Sequence, residues 1–172
     1  MRWTVSHRAD PFAREIADRH YNRQKIGTPQ FVPPGRCLVL TANTDTGRAL
    51  WITSWPFAEY VKHAWPGAWV CSAFRNEGAG LAHELGLEAL AATVARWPAI
   101  PPLGLVTFLN RKHVTPIKRR GRDHYGYIWE LMGFRYVGET AGGLMAWQLL
   151  PDDMPEPCGA IGSQPSLFES AA

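Results

Sequence analysis

The stretch Phe74-Arg75-Asn76-Glu77-Gly78-Ala79-Gly80 constrains this chain most, because it joins a mainly apolar run at 68–74 to a helical pattern at 81–97. The run predicts a strand and the pattern predicts a helix. The first N–H groups of such a helix have no intrahelical partner, and the helix dipole adds positive charge there. The glycines let a phosphate approach the backbone closely. The junction therefore predicts an anion site at 75–80, the alternative being a plain turn with a solvated Arg75.

Length and composition restrict the class of protein. The chain has 172 residues, of which 46% are hydrophobic, enough for one domain with a proper core. The net charge of +3 permits an anionic partner without requiring one. Three scattered cysteines support neither a disulfide framework nor a metal site. No signal peptide and no apolar run of membrane-spanning length is visible, so we expect a cytoplasmic protein without metal or membrane contact.

The pattern along the chain predicts an α/β (α+β) domain over residues 1–150. Asp10 and Pro11 indicate the start of a first helix, and residues 22–34 a loop. Two β-rich runs around a polar cluster at 43–47 predict a hairpin. The remaining predicted elements are strands at 69–74, 104–109, 135–139 and 144–150 and helices at 81–97 and 124–132. Residues 151–172 are rich in Pro, Gly, Ser and acid, which predicts a disordered tail.

Two motifs resemble those of the GNAT superfamily of acyl-CoA N-acyltransferases. They are Arg-x-x-Gly-x-Gly at 75–80 and Trp129-Glu130-Leu131-Met132-Gly133-Phe134. The resemblance implies a GNAT-type fold, with a mixed, mostly antiparallel central sheet flanked by helices. It also implies acetyl-CoA or another acyl-CoA as cofactor, its thioester polarised by a main-chain N–H near Val70 and Ser72. The residues implied to hold its pyrophosphate are Arg75, Asn76, Glu77, Gly78, Ala79 and Gly80.

The chain departs from the family at the proton donor. The usual tyrosine lies four residues before the glycine of Gly-Phe, and that position is Trp129 here. An indole N–H is not an acid at useful pH. The hypotheses for a donor are Tyr127, Tyr125, Tyr21, Ser72 or water. The candidate bases are His20, Glu77 and Glu130, for each of which a structural role is the alternative.

Other features point toward nucleic acid. The pair His20-Tyr21 resembles phage-encoded DNA modification proteins of the Mom type, which implies an amine on a DNA base as acceptor, the alternative being an aromatic pair at the end of a helix. Independently, a basic run predicts contact with phosphates, the alternatives being a solvated loop or contact with CoA. Its members are Arg111, Lys112, Lys118, Arg119, Arg120 and Arg122. For the aromatic residues between Trp51 and Trp69 we expect packing in the core, the alternative being stacking on an extruded DNA base.

The tail carries a further short motif. Gln164, Leu167 and Phe168 resemble the Gln-x-x-Leu-Phe peptide that docks on the bacterial DNA sliding clamp. Such peptides place their apolar side chains in a pocket of the partner. The alternative is that Leu167 and Phe168 pack back onto the domain.

Three functions follow as expectations. The leading one is a DNA-associated acyl-CoA-dependent N-acyltransferase that modifies a base amine. The first alternative is an acetyltransferase acting on a small molecule, a protein or an aminoacyl-tRNA. The second is a non-catalytic protein of GNAT descent that binds DNA or the clamp.

Overall fold

The computed structural model describes residues 1–32 and 34–163, which form a seven-stranded sheet, a separate two-stranded hairpin and three α-helices. Single 3-10 turns lie at Ala58–Tyr60 and Pro151–Asp153. In chain order the helices and strands are β1 (Thr4–Ser6), α1 (Pro11–Ala17), β2 (Arg36–Thr44), β3 (Gly47–Trp55), β4 (Trp69–Glu77), α2 (Ala82–Arg96), β5 (Leu105–Leu109), β6 (Ile117–Arg119), β7 (Arg122–His124), α3 (Tyr127–Leu131), β8 (Arg135–Glu139) and β9 (Met145–Leu149).

The large sheet is mixed and mostly antiparallel, as predicted. Its order is β1-β2-β3-β4-β5-β9-β8, and β4 and β5 are its one parallel pair. These two strands are joined through α2, the kind of crossover that a parallel pair needs. The sequence pattern does not predict β1, β6 or β7, because three residues are too few for a periodicity to show.

Helices cover both faces of the sheet, and each face has its own apolar core. The core beneath α1 contains Ile16, Val39, Leu50, Ile52 and Ala73. The larger core beneath α2 and α3 contains Trp51, Trp69, Leu85, Leu90 and Trp147. Neighbouring residues of β2 and β3 therefore point to opposite faces and are both buried, which explains the continuous apolar runs of these strands.

Local signals predicted the first helix and the long hairpin well. The carboxylate of Asp10 accepts a hydrogen bond from the Phe12 N–H at 2.9 Å, and Pro11 occupies the first helical position. Strands β2 and β3 pair along nine residues each, with Asp45 and Thr46 as the turn. Gly86, inside α2, lacks the Cβ that would overlap Met132 at the end of α3, so this glycine permits close packing of the two helices.

The third helix is shorter than the prediction of 124–132, and its end explains the Gly-Phe pair. Gly133 has φ +90, and its N–H bonds to the Glu130 carbonyl at 3.0 Å, while the Phe134 N–H bonds to the Trp129 carbonyl at 3.0 Å. This is a Schellman C-cap, completed by contact of the Trp129 and Phe134 rings at 5.0 Å. The motif has a structural purpose here whatever its functional meaning. His124, predicted in the helix, belongs to β7 instead.

The predicted disordered tail does not begin at Pro151. Residues 154–163 return along α2 to β1: the Cys158 N–H bonds to the Ala91 carbonyl at 3.1 Å, and Ala160 is buried. Ile161 then pairs with β1, donating to the Trp3 carbonyl and accepting from the Val5 N–H, both at 2.9 Å. The folded unit therefore extends past the expected boundary at 150. The clamp-peptide residues Gln164, Leu167 and Phe168 lie outside the described residues.

Candidate functional site

The central feature of the site is a wedge between β4 and β5. The two strands pair only through Trp69, Val70 and Cys71, while β4 continues to Glu77 with β3 as its partner. Beyond Cys71, the edge of β4 that faces β5 therefore carries main-chain groups outside the ladder. Unpaired backbone groups need other hydrogen-bond partners, so this edge is a natural place for a ligand or a side chain to bind.

A β-bulge at Ser72 marks the start of the wedge. Ile52 of β3 pairs with Ala73 and Thr53 pairs with Cys71, which leaves Ser72 as an extra residue. Cys71 consequently faces the core beneath α2 while Ala73 faces the core beneath α1, although residues two apart on a regular strand share a face. Bulges of this kind re-aim main-chain and side-chain groups next to active sites.

The segment after α1 lies against the wedge and binds both strands. Asn22 donates from its side-chain amide to the Ser72 carbonyl at 3.2 Å. Tyr21 donates its hydroxyl to the Phe108 carbonyl of β5 at 3.3 Å. The structure thus brings the predicted residues His20, Tyr21 and Ser72 together. Asn22 was not predicted, since nothing distinguishes it from other polar residues of its loop.

His20 is held neutral at physiological pH. Burial lowers the pKa of its imidazole to about 4, with a further contribution from the charge of Arg75. Its Nδ1 accepts the Asn22 N–H at 3.2 Å, and the Phe74 carbonyl opposes the shift by favouring the protonated ring. Burial raises the pKa of Tyr21, so its hydroxyl stays protonated. The imidazole is therefore neutral, and both of its ring nitrogens are engaged, one by the Asn22 N–H and one by the Phe74 carbonyl.

Glu77 is the centre of an arginine cluster rather than a free base. Its carboxylate accepts hydrogen bonds from Arg19 and Arg75 at 2.7 Å and from Arg48 at 3.0 Å. These bonds, that from Arg19 above all, lower the pKa of Glu77 to about 2. The same contacts engage Arg75, which also donates to the Arg19 carbonyl at 2.8 Å. The predicted roles of Glu77 as base and of Arg75 as a phosphate ligand are both weakened.

The phosphate cradle predicted at 75–80 is smaller than expected. Residues 75–77 belong to β4, and the Ala79 N–H already donates to the side chain of Asn76 at 2.9 Å. What remains is Gly80, Leu81 and the first turn of α2. Leu81, the N-cap, provides no side-chain acceptor to that turn. A Cβ on Gly80 would lie 2.7 Å from Nη1 of Arg2, so a guanidinium stands beside this turn.

Arg2 was not predicted as a site residue, because it lies far from the loop in sequence. Its side chain donates to Glu88 at 3.0 Å and to Glu84 at 3.2 Å, both on the first half of α2. Those carboxylates hold the guanidinium at the helix start. The two carboxylates also offset its charge, as Glu77 does for Arg75.

The residues predicted on the third helix do not join the wedge as proton donors. Trp129 is buried, with its ring 6.2 Å from that of Phe74 and 5.9 Å from that of Trp51. Tyr127 is 40% exposed at the start of the helix. The Glu130 carboxylate lies 3.0 Å from Nε2 of His124 and 3.4 Å from Arg119. The contacts of Glu130 thus support the β6–β7 hairpin rather than the bulge.

A cleft of about 600 Å³ opens on the α1 face at the bulge. Its walls come from the loop after α1 and from β3, β4 and β5, and include His20, Asn22, Val70, Ser72 and Phe108. Two rings of its wall, those of His20 and Phe108, belong to aromatic clusters that continue behind it. Tyr21 stacks between His20 at 4.6 Å and His113 at 5.4 Å, and Phe108 contacts His63 at 4.9 Å and Trp65 at 5.9 Å. The cleft suits a planar group with polar edges.

The basic run follows β5 and is partly neutralised. Arg111 pairs with Glu139 at 2.6 Å and Lys118 with Asp123 at 2.5 Å. Within residues 1–32 and 34–163, Lys112, Arg120 and Arg122 have no ion-pair partner, and all three are exposed. The segment begins beside the cleft, because His113, which stacks on Tyr21, directly follows Lys112.

Other site types receive no support from the described part of the chain. Its His, Cys, Asp and Glu side chains form no group placed to hold a metal ion. None of its helices is both long enough and apolar enough to cross a membrane. Comparisons of the chain with protein-family models, with curated proteins and with solved structures gave no match.

Proposed function

We propose that the chain is an acyl-CoA-dependent N-acyltransferase of GNAT type whose acceptor is an amine of a DNA base. The observation that carries the proposal is the wedge: the one parallel strand pair of the large sheet separates beyond Cys71, at a bulge, beside a helix start without a side-chain cap. Each feature serves one requirement of acyl transfer from a CoA thioester. Together they agree with the sequence motifs.

The residues present fit an acyl-CoA. Gly80 has no Cβ and the first turn of α2 has no side-chain cap, so the N–H groups of that turn are the part of the site that suits a diphosphate. The edge of β4 beyond Cys71 suits the amide groups of the cofactor arm, which would replace the side chains of Asn22 and His20 as its partners. Bound acyl-CoA would supply an acyl group activated as a thioester.

The bulge and His20 suit the two chemical requirements of the transfer. We infer that a main-chain N–H at the bulge is the donor for the oxygen that gains negative charge, because a bulge re-aims main-chain groups. The acceptor nitrogen forms a bond to the acyl carbon as the carbon–sulfur bond breaks, and the nitrogen then loses a proton. We assign that proton to His20, which lines the cleft and is neutral, once its Nδ1 is released from the Asn22 N–H.

The acceptor class follows from the cleft and the basic run together. The rings of His20, Phe31 and Phe108 line the cleft, and every base has a π-face that such rings can bind. The exposed cations next to His113 suit the phosphates that accompany a base.

A non-catalytic DNA-binding protein is the second candidate, favoured by one observation. Trp129 fills the position of the family's proton donor and is packed between Phe74 and Trp51, so no acid replaces the tyrosine there. If the side chains of His20 and Asn22 close the β4 edge permanently, the site would bind DNA without transferring an acyl group.

Acyl-CoA is expected to protect the protein against heat. A ligand at about 100 times its Kd adds about 2.7 kcal/mol of stability, which raises the Tm of a domain of this size by about 5–10 °C. The measurement is a thermal melt with acetyl-CoA and longer acyl-CoA at millimolar concentration. Gly80→Val should abolish the shift, because its Cβ would displace Arg2 at a backbone with φ +148.

Gly67→Val is the matched control for that variant, since Gly67 also has positive φ but open space around it. It should melt earlier yet keep the acyl-CoA shift. Absence of any shift in the unaltered protein would count against acyl-CoA binding, and equal shifts in both variants would place the cofactor elsewhere.

Host DNA is expected to acquire an acylated base when the protein is expressed. Nucleoside mass spectrometry of DNA with and without expression should find one new nucleoside, heavier by an acyl group. His20→Gln should strongly reduce its yield, because glutamine cannot accept the proton. Unmodified DNA alongside an acylated metabolite, protein or aminoacyl-tRNA would favour another acceptor, and no acylation at all would favour the non-catalytic candidate.

A further inference from the structure

The β6–β7 hairpin turns through a residue poorly suited to its backbone. Arg119 pairs with Arg122, so Arg120 and Gly121 form a two-residue turn. Their φ angles are +51 and +76, the pattern of a type I′ turn. Asparagine or glycine is favoured at the first position of this turn, whereas arginine is strained there. Arg120 is the one non-glycine residue with positive φ among the described residues.

The pairing next to the turn is also unfavourable. Arg119 and Arg122 are directly opposite each other on antiparallel strands, where like charges repel. Glu130 contacts Arg119 at 3.4 Å, while Asp123 is taken by Lys118 on the other face of the hairpin. Three arginines at one tip thus each break a local rule of hairpin stability. Such residues are expected at functional sites, where a ligand compensates for them.

These arginines line a concavity. An open depression of about 530 Å³ is bordered by Arg119, Arg120, Arg122, Asp123 and His124. The Glu130 carboxylate of α3 lies 3.4 Å from Arg119 and 3.0 Å from Nε2 of His124, so the hairpin rests against α3. The tip therefore presents three guanidinium groups around one depression, and guanidinium groups are the usual ligands of phosphate oxygens.

We propose that the β6–β7 hairpin docks in the major groove of double-stranded DNA, with Arg120 and Arg122 on phosphates. A two-stranded ribbon fits the major groove of B-form DNA, while the major groove of A-form RNA is too narrow for side chains to read. Arginine-rich surfaces also bind acidic membranes, but residues 119–122 at the tip carry no apolar side chain to insert into a bilayer, and the exposed Ile117 lies at the far end of β6.

The hairpin is close enough to the cleft to serve it. Three residues separate His113, on the aromatic stack, from Ile117 at the start of β6. At about 3.5 Å per residue, the two Cα atoms are within about 14 Å of each other. A duplex on the hairpin would therefore lie beside the cleft proposed for the acceptor. In this respect the inference rests on the proposed function, although binding itself requires no transfer.

The test is fluorescence anisotropy with a 20-base-pair duplex over a series of salt concentrations. Arg120→Asn combined with Arg122→Gln should lower the magnitude of the log–log salt slope by about 2 and weaken binding about 10- to 100-fold near 100 mM salt. Arg120→Asn alone should bind less tightly yet melt at the same or a higher temperature, because asparagine tolerates the turn better. Weaker binding together with an unchanged or higher melting temperature would show that Arg120 contributes to DNA binding and not to folding.

Arg96→Gln with Arg135→Gln is the matched control, since it removes two exposed arginines from α2 and β8. It should leave binding nearly unchanged. The inference is overturned if both double variants lose affinity equally, or if single-stranded DNA, duplex RNA or phosphatidylserine vesicles bind as tightly as the duplex. If DNA is acylated but the double hairpin variant binds the duplex as tightly as the unaltered protein, only the docking inference is wrong. If the duplex is bound at the hairpin but no acylation occurs, only the transferase proposal is wrong.

Discussion

Deleting Ser72 is expected to lower the rate of acyl transfer at least about 100-fold while the protein still folds. Cys71 and Ala73 already pair with the adjacent residues Thr53 and Ile52, so removing the extra residue leaves the register and the facing of both side chains unchanged. What disappears is the re-aimed main chain of the bulge. Loss of one fixed donor at an oxyanion costs about 2.7–4 kcal/mol in the transition state.

Release of CoA thiol in the presence of DNA measures this effect, and circular dichroism checks the fold. Ser72→Ala provides the control, because it removes the hydroxyl that contacts Ser54 at 3.1 Å and keeps the bulge. It should retain most of the activity and the acyl-CoA protection. Full activity after the deletion would exclude the bulge from catalysis, and a comparable loss in Ser72→Ala would assign the role to the hydroxyl instead.

Glu77→Gln is expected to lower the free energy of unfolding by about 2–3 kcal/mol at pH 7. The Glu77 side chain is 19% exposed and holds three guanidinium groups, which the substitution leaves without their common anion. Tm should fall by about 4–12 °C for a domain of this size. Urea unfolding measures the change directly.

Glu15→Gln is the natural comparison, since Glu15 also contacts Arg48, at 3.1 Å, but is 61% exposed. It should change stability by less than about 1 kcal/mol. The pH dependence has a definite sign. The pKa of Glu77 is about 2 in the folded state against an ordinary 4.5, so its contribution is complete above pH 4.5 and is lost as pH falls toward 2. Equal effects of the two substitutions would contradict a central role for Glu77.

Elements specified by neighbouring residues were predictable from the sequence. The cap at Asp10, the turn after Thr44 and the proline-bounded end of α2 each depend on a few adjacent side chains. The strand–turn–helix order predicts a site where β4 leads into α2, but it does not predict that β4 and β5 separate beyond Cys71. Its detail depends on strand register, and register is determined by pairing between segments distant in sequence.

Contacts over long sequence separations could not be predicted. Arg19 and Arg48 reach Glu77 across 58 and 29 residues, and Asn22 reaches Ser72 across 50. No local pattern distinguishes these side chains from solvated ones. The β6–β7 hairpin was missed for another reason: its turn uses Arg120 where the recognised signal is asparagine or glycine.

The pairing of Ile161 with β1 determines where the chain can be shortened without exposing the edge of the sheet. A protein ending at residue 150 would lack the partner of Trp3 and Val5 and would uncover the outer side of β1. An uncovered edge strand can pair with the edge strand of another molecule, so we expect that truncation to favour aggregation. A protein that ends at Ser163 keeps the pairing of Ile161 with β1. It is therefore the truncation to use when the last nine residues are tested for binding partners of their own.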